Sequence, residues 1–145
     1  MPTIKYNPDS MPDLSGKVIL ITGGEYYYTN NEPQSPIQSL YTMNHELMPV
    51  FWSERRTSAD AVIQQIRQAG SKTLVTFLPC DLASLASVKQ AAETFLAQES
   101  RLDILMCNTG IMATPPGLTA DGYEIQFGTN HLGHALLIRK LLPLL

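Results

Sequence analysis

The chain has 145 residues, of which 44% are hydrophobic, so it is long enough to bury one substantial core, and its composition excludes a disordered polypeptide. Ten basic and thirteen acidic residues give a formal net charge of -3 without a basic run, which argues against a nucleic acid as partner. The longest apolar run, residues 135–145, is interrupted by Arg139 and Lys140, so no membrane span is predicted.

The first ten residues contain prolines and polar side chains where a secretory signal would need an apolar centre. Cys80 and Cys107 therefore fit a reduced, cytoplasmic setting better than a disulfide framework. Residues 1–13 lack apolar periodicity and are predicted to form an extended arm, whereas residues 14–145 are predicted to form one partial domain.

The unbroken apolar run Val18–Ile21 predicts a strand that is buried on both faces of a parallel sheet. Thr22, Gly23 and Gly24 follow it at the carboxyl end, where open α/β sheets bind their ligands. Glycines at this point let a pyrophosphate approach the backbone, and the start of a following helix supplies free amide groups. Gly23 and Gly24 are also compatible with an ordinary turn after a strand.

Residues 25–49 have neither helical nor strand periodicity, so no element is predicted there. Val50–Trp52 predicts a short second strand. The arginines that follow it, Arg55 and Arg56, can pair with a 2'-phosphate or can be solvated charges before a helix. Apolar residues at helical spacing predict that helix over residues 57–69.

Residues 72–78 are rich in β-forming side chains and predict the next strand. Asp81 and Leu82 follow it. Asp81 can accept a hydrogen bond from an adenine amino group, or it can cap the next helix. That helix is predicted to begin near Ser84 and to bury one apolar stripe, which consists of Leu85, Val88, Ala92, Phe95 and Leu96.

Leu102–Cys107 predicts another apolar strand. Asn108 and Gly110 close it, and they can place an amide and a backbone against a ribose or can simply form a turn. A final helix is predicted over residues 123–142, with apolar positions at Ile125, Leu132, Leu136, Leu137 and Leu141.

His131 and His134 lie three residues apart on this final helix. No third ligand has the spacing of a metal site, so no metal is expected. A cysteine nucleophile at Cys107 is not expected either, because no histidine lies near it in the sequence. All three side chains are interpreted as buried or half-buried structural residues.

Strands that alternate with helices are typical of βαβ units with right-handed crossovers. The predicted fold class is therefore α/β, with a parallel sheet and flanking helices. The sequence stops at Leu145, after a helix that should lead into a further strand. An open sheet edge and an apolar helix face are expected there, and both favour association.

Four stretches have a characteristic content, order and spacing: Leu14–Gly24, Cys80–Ser84, Leu102–Met112 and Phe127–His134. Together they resemble the short-chain dehydrogenase/reductase family, most of all its retinol-dehydrogenase-like and WW-domain-oxidoreductase-like branch. The resemblance covers about residues 13–24 and 50–145, which correspond to roughly the N-terminal half of a complete member. It implies a Rossmann-like, dinucleotide-binding fold that is incomplete, the N-terminal half of a doubly wound sheet.

The resemblance implies NADP as the cofactor, with NAD as the alternative, because an arginine after the second strand accompanies NADP in this branch. Arg56 fits that position better than Arg55. Asn130 matches the asparagine that helps to organise the family's proton relay. The cofactor-binding positions that the resemblance implies are Gly23, Gly24, Arg56, Asp81, Leu82, Asn108 and Gly110.

The implied reaction is hydride transfer between the nicotinamide and a hydrophobic alcohol or ketone. The family's catalytic Tyr-x-x-x-Lys pair is absent, since none of the six tyrosines has a lysine four residues later. We therefore expect negligible turnover from this chain. Two further departures are Thr109, where the family usually has alanine, and the lack of any glycine between Gly24 and Gly70.

Residues 25–49 have nearly the length of the family's loop and helix but none of their pattern, as a mis-spliced product of a family gene would. The alternative function is a non-catalytic nucleotide-binding or interaction fragment. Such a fragment would form a homo-oligomer or pair with a full-length relative through its unfinished sheet edge.

Overall fold

The computed structural model describes residues 14, 16–23, 27–29, 32–34, 50–52, 63–64 and 75–145. Its centre is a four-stranded sheet in which every pairing is parallel. The spatial order is β5-β4-β1-β6, and the strands are β1 (Ile19–Thr22), β4 (Val50–Trp52), β5 (Val75–Phe77) and β6 (Ile104–Cys107). The predicted α/β class with a parallel sheet is confirmed.

Strand β1 lies inside the sheet, between β4 and β6. All four of its residues are buried, as the apolar run without polar alternation predicts. Its register with β6 runs from Ile19 opposite Ile104 to Thr22 opposite Cys107. Thr22 and Cys107 therefore lie side by side at the carboxyl end of the sheet.

Two short strands, β2 (Tyr27–Thr29) and β3 (Glu32–Gln34), pair antiparallel as a separate two-stranded sheet. The sequence predicts no element here, because an isolated hairpin of three-residue strands has too few positions to establish a period. The helix predicted over 57–69 is described only at residues 63–64, which are helical. The arm predicted over residues 1–13 lies outside the described residues.

Helix α1 (Leu85–Gln98) begins one residue after the predicted start. Ser84 is its N-cap, and the Ser84 hydroxyl oxygen accepts a hydrogen bond from the Ser87 amide at 3.3 Å. The predicted stripe is partly wrong. Leu96 is exposed and Leu85 is half-buried, whereas the buried positions are Val88, Ala91, Ala92 and Phe95.

The predicted final helix is not continuous. Helix α2 (Ile125–Phe127) leads into a π-helical segment (Gly128–Gly133), which continues as α3 (His134–Leu141) and a 3-10 turn (Leu142–Leu144). The Glu124 carboxylate caps α2 by accepting hydrogen bonds from the amides of Gln126 and Phe127, which lowers the pKa of Glu124.

Tight packing surrounds both ends of the π-helical segment. A Cβ at Gly128 would overlap the Thr119 methyl group, and a Cβ at Gly133 would lie 2.6 Å from the Leu82 carbonyl oxygen. Only glycine allows these approaches. The segment is therefore placed by contacts with distant residues rather than by helical periodicity, which explains why the sequence predicts an unbroken helix instead.

The hydrophobic core lies where α1 and α3 pack over the sheet. Half-buried Leu105, Leu136 and Leu144 pack against it. Its buried members include Val18, Leu20, Leu78, Cys80, Leu82, Val88, Ala92, Phe95, Leu102, Leu137 and Leu141.

At the amino ends of β1 and β6, Asp103 joins the two strands. Its carboxylate accepts hydrogen bonds from the Val18 amide at 2.9 Å, from Lys17 Nζ at 3.1 Å and from the Arg101 guanidinium. The hydrogen bonds from Arg101, from the Val18 amide and from Lys17, together with the Arg101 charge, hold the pKa of Asp103 well below its usual range.

Candidate functional site

The carboxyl ends of β1 and β6 form an edge at which several predicted site residues meet. Gly23, directly after β1, has a φ of +69°. A Cβ added to it would lie 2.6 Å from Thr109 Cα, so the Gly23 backbone passes directly over the turn after β6. Both observations require glycine at this position. Gly24 and Arg56 lie outside the described residues.

Asn108 joins the turn after β6 to the end of β1 in two ways. Its backbone amide donates to Thr22 Oγ1 at 3.0 Å, and its side-chain amide donates to the Gly23 carbonyl oxygen. The Thr109 amide also donates to Thr22 Oγ1, at 3.3 Å. The Asn108 side chain therefore fixes the backbone that the sequence assigns to a dinucleotide loop.

Asn130 lies in the π-helical segment and holds the loop after Gly110. Its Oδ1 accepts from the Ile111 amide and its Nδ2 donates to the Ile111 carbonyl, both at 2.8 Å. Among the described residues, a Cβ at Gly110 would meet only Asn130 Oδ1, at 3.7 Å. Both polar atoms of the Asn130 side chain are thus engaged with the Ile111 backbone, so this side chain positions the loop.

The same loop has a second support that the sequence analysis missed. Ala113 adopts a φ of +53°, which is unfavourable for a residue with a Cβ. Its amide donates to Gln126 Oε1 at 3.3 Å. Gln126 and Asn130 are four residues apart on the same helical stretch, so their side-chain amides reach the loop from one surface.

Thr22 and His134 form a buried pair beneath this edge, with relative exposures of 3% and 6%. Thr22 Oγ1 lies 2.7 Å from His134 Nε2, and His134 Nδ1 lies 2.8 Å from the Asn130 carbonyl oxygen. The expectation that His134 is a buried structural residue holds. The expectation is wrong for His131 and Cys107, which are exposed, with His131 stacked on Phe127.

Asp81 and Leu82 lie in the turn before α1. Asp81 Oδ1 accepts from the Ala83 amide at 2.8 Å, which is a local turn contact. The alternative role as the cap of the next helix is wrong, because the N-cap of α1 is Ser84. Leu82 is buried as a whole residue, with its side chain in the core. Leu82 meets the π-helical segment through its carbonyl oxygen, against Gly133.

The structure therefore joins Gly23 directly to Asn108, and it brings Asn130 to the loop after Gly110 through the Ile111 backbone. Leu82 packs against the π-helical segment that holds Asn130, at Gly133. One polar atom near this edge is unusual. The buried Thr109 hydroxyl oxygen, which faces Gly23, has no hydrogen-bond partner among the residues that the structure describes. Thr109 is the residue that departs from the family's usual alanine.

Neither a metal site nor a membrane span is found in the part of the chain that the structure describes. There, His, Cys, Asp and Glu side chains do not gather in a group of three or more that could hold a metal ion. No helix among the same residues is both long and apolar enough to cross a membrane.

Sequence comparison gives a consistent result. A family model described as short chain dehydrogenase matches residues 39–145. A short-chain dehydrogenase/reductase of Armillaria gallica is 38% identical over 99% of this chain and 45% of its own length. The WW domain-containing oxidoreductase of Danio rerio is 36% identical over 89% and 30%, and the human polyprenol dehydrogenase is 32% identical over 92% and 39%. The chain thus spans less than half the length of these relatives.

Structure comparison supports the same fold. The crystal structure of a metagenomic short-chain oxidoreductase in complex with NADP is similar over 90% of this chain and 56% of its own, with a TM-score of 0.66 and 23% identity. The family match begins at residue 39, inside the stretch 25–49 for which no family pattern was apparent in the sequence. The curated relatives align across that stretch as well.

Proposed function

The chain belongs to the short-chain dehydrogenase/reductase family, and from this premise we propose that it binds NADP along the carboxyl edge of β1 and β6. In the complete enzyme, the cofactor would exchange a hydride with a hydrophobic alcohol or ketone. The name of the human relative, polyprenol dehydrogenase, supports a hydrophobic alcohol as the substrate class.

The observation that carries the proposal is the joining of Gly23, Asn108, Gly110 and Asn130 at one edge of the sheet. These residues come from three separate parts of the sequence, and the structure links them by hydrogen bonds and close backbone contacts. The carboxyl end of a parallel sheet is also where α/β folds bind nucleotides.

The residues present fit a dinucleotide. Gly23 presents backbone without a side chain, and its carbonyl is held by Asn108, so a pyrophosphate can approach the amides that follow β1. The Gly110 α-carbon has open space on its side-chain face apart from Asn130 Oδ1. A ribose or a nicotinamide ring can therefore lie against the loop from Gly110 to Ala113.

Within this site we assign Asn130 a positioning role. Both of its side-chain polar atoms bind the Ile111 backbone, so it holds the loop that would line the cofactor. A bound nicotinamide would supply the hydride chemistry, while this chain's own residues orient the cofactor and shape its edge. The preference for NADP over NAD rests on Arg56, whose guanidinium would pair with the 2'-phosphate.

We further propose that residues 1–145 bind the cofactor without turning over substrate. None of their tyrosines has a lysine four residues later, so the general acid of the family's reaction is not among them. Transfer of a hydride needs an accompanying proton transfer to or from the substrate oxygen. The residues described around Asn130 do not include a tyrosine-lysine pair for that step.

A fluorescence titration of the purified chain with NADPH tests the proposal. We expect saturable binding with increased NADPH emission, and weaker binding of NADH. Asn108→Ala removes the hydrogen bond to the Gly23 carbonyl and should weaken NADPH binding about fivefold, the effect of about one ordinary hydrogen bond.

Lys89→Ala is the matched control, because Lys89 is exposed on α1 and pairs only loosely with Glu93, at 3.9 Å. It should leave NADPH binding unchanged. Absence of saturable binding by the wild-type chain would overturn the cofactor proposal. Equal affinity for NADH and NADPH would overturn only the choice of NADP, and clear NADPH-dependent carbonyl reduction would overturn the lack of turnover.

A second function, as an interaction fragment, is favoured by the exposed apolar side chains near the end of the chain. Phe127, Ile138, Leu142 and Leu145 are 53%, 40%, 61% and 55% exposed. Such a surface favours self-association or pairing with a full-length relative. Light scattering after gel filtration distinguishes the two functions, since a monomer that binds NADPH would contradict the fragment proposal.

A further inference from the structure

His134 is a buried imidazole whose two ring nitrogens are both hydrogen-bonded, and sequence analysis assigned it only a structural place. It lies at the start of α3, with Thr22 on one side and the Asn130 carbonyl on the other. These partners belong to two separate parts of the candidate cofactor site: the end of β1 and the π-helical segment.

The partners determine which ring nitrogen carries the proton. A carbonyl oxygen only accepts, so His134 Nδ1 must donate to the Asn130 carbonyl at 2.8 Å. In the neutral ring, Nε2 is then an acceptor, and the Thr22 hydroxyl donates to it at 2.7 Å rather than to the more distant Met106 carbonyl oxygen at 3.5 Å. The oxygen of that hydroxyl accepts from the amides of Asn108 and Thr109 at 3.0 and 3.3 Å.

These bonds form one directed chain. It runs from the amides after β6, through the Thr22 hydroxyl and the His134 ring, to the Asn130 carbonyl. At its far end, Asn130 grips the Ile111 backbone with its side chain. At its near end, Asn108 holds the Gly23 carbonyl. The imidazole thus links the end of β1 to the π-helical segment.

We propose that His134 is a positioning residue for the cofactor site. It fixes the Asn130 backbone, and with it the loop at Ile111, relative to the turn that joins Gly23 and Asn108. This inference rests on the proposed function in so far as it concerns NADP, but the linkage itself is a property of the chain. A histidine that only filled space in the core would not be hydrogen-bonded to both Thr22 and Asn130.

Three substitutions at His134 test its two hydrogen bonds, to the Asn130 carbonyl and to the Thr22 hydroxyl, one at a time and together. His134→Leu removes both. His134→Asn places an amide near the former Nδ1 and keeps a donor for the Asn130 carbonyl, whereas His134→Gln reaches the former Nε2 and keeps an acceptor for the Thr22 hydroxyl. His131→Leu is the matched control, because it makes the same change on the same helical stretch at an exposed position.

Amide hydrogen exchange measures the linkage directly. His134→Leu should speed exchange at Asn108, Thr109 and Ile111 by about fivefold to tenfold, the effect expected for the loss of about one hydrogen bond. Exchange at Val88, whose amide bonds to the Ser84 carbonyl in α1, should stay unchanged. His134→Asn should spare Ile111, and His134→Gln should spare Asn108 and Thr109. His131→Leu should change none of them.

The His134 variants should also bind NADPH more weakly than the wild-type chain. The largest loss of affinity, about tenfold, is expected for His134→Leu, which lacks both hydrogen bonds. A uniform rise in exchange that includes Val88, or no change at Ile111, would overturn the positioning role. If His134→Leu does not fold, amide exchange in His134→Asn and His134→Gln tests the positioning role instead, together with the ¹⁵N spectrum of the His134 ring. A proton on Nε2 in that spectrum contradicts the bond chain. If the wild-type chain does not bind NADPH, the proposed function fails, while the exchange pattern still decides the linkage.

Discussion

The two ends of the β1–β6 pair are fastened by different kinds of interaction. At the amino end, the Asp103 carboxylate binds an amide and two cations, Lys17 and Arg101. At the carboxyl end, a hydroxyl takes the place of the carboxylate: Thr22 Oγ1 binds the amides after β6 and the ring of His134. The amino end is partly open to solvent, whereas Thr22 and His134 are buried.

The difference indicates which end tolerates change. Charges act over a distance and are screened by water, so the amino end depends little on exact geometry. A buried neutral network is stable only when every donor and acceptor is matched. The end with the stricter geometry is also the end that we assign to the cofactor.

The largest effect on stability should come from adding a methyl group at the carboxyl end of the β1–β6 pair. Gly23→Ala forces a Cβ into Thr109 at a positive φ, and we expect it to lower the free energy of unfolding by about 3 kcal/mol. Gly16→Ala is the matched control near the amino end, since its φ of +73° is similar but a Cβ there meets nothing within 4 Å. It should cost about 1 kcal/mol. Urea unfolding gives both values, and equal losses would show that the contact with Thr109 does not matter.

A smaller effect is expected from removing the hydroxyl beneath the site. Thr22→Val leaves two amides and the His134 ring without their partner, and it should cost about 2 kcal/mol of unfolding free energy. Thr22→Ser keeps the hydroxyl and loses only a buried methyl group, at a cost of about 1 kcal/mol. Denaturant midpoints at constant slope measure the difference. If serine were as damaging as valine, the methyl group and not the hydroxyl would hold this end together.

The smallest effect, and the one that distinguishes charge from neutral bonding, is expected at Asp103. Its pKa is lowered in the folded protein, chiefly by the Arg101 hydrogen bond, so its contribution to stability is full above the unfolded pKa of about 4. That contribution is lost as the pH falls through the lower, folded value. The stability difference between wild type and Asp103→Asn should therefore shrink below about pH 4.

The Gly23→Ala difference should not change over the same pH range, because neither glycine nor alanine titrates and the added Cβ meets Thr109, which does not titrate either. Urea unfolding of both variants at pH 7 and pH 3 makes the comparison. A wild-type advantage over Asp103→Asn that stays constant down to pH 3 would contradict the charge-based fastening of the amino end.

Local pattern was enough to predict the elements that are internally periodic. The apolar run before Thr22, the strand at Val50–Trp52 and the helix after Ser84 were all predicted within one to two residues of their observed bounds. The π-helical segment could not be predicted, because Gly128 and Gly133 owe their places to Thr119 and Leu82, which lie outside that helix.

The sequence predicted those site residues whose type alone is informative, and it missed those whose role depends on a hydrogen-bond partner far away in the sequence. Gly23 and Asn108 were named from the motifs, and the structure joins them. Whether they bind NADP stays a prediction. The bond between Thr22 and His134 spans 112 positions in the sequence, so nothing local to either residue indicates it. The final-helix histidines look alike in sequence, and only the fold shows that one is buried and the other exposed.

The pairing of β1 with β6 also has a consequence for how the chain folds. It joins residues 85 positions apart, since the Val18 amide binds the Asp103 carboxylate, whereas the β2–β3 hairpin closes within a few residues. Contacts between distant residues slow folding, because the long loop must lose its entropy before the contact forms. One edge of β1 must therefore wait until β6 has been made, whereas its other edge can pair with β4 earlier. The carboxyl edge that β1 and β6 share should accordingly form only after residue 107 has been synthesised.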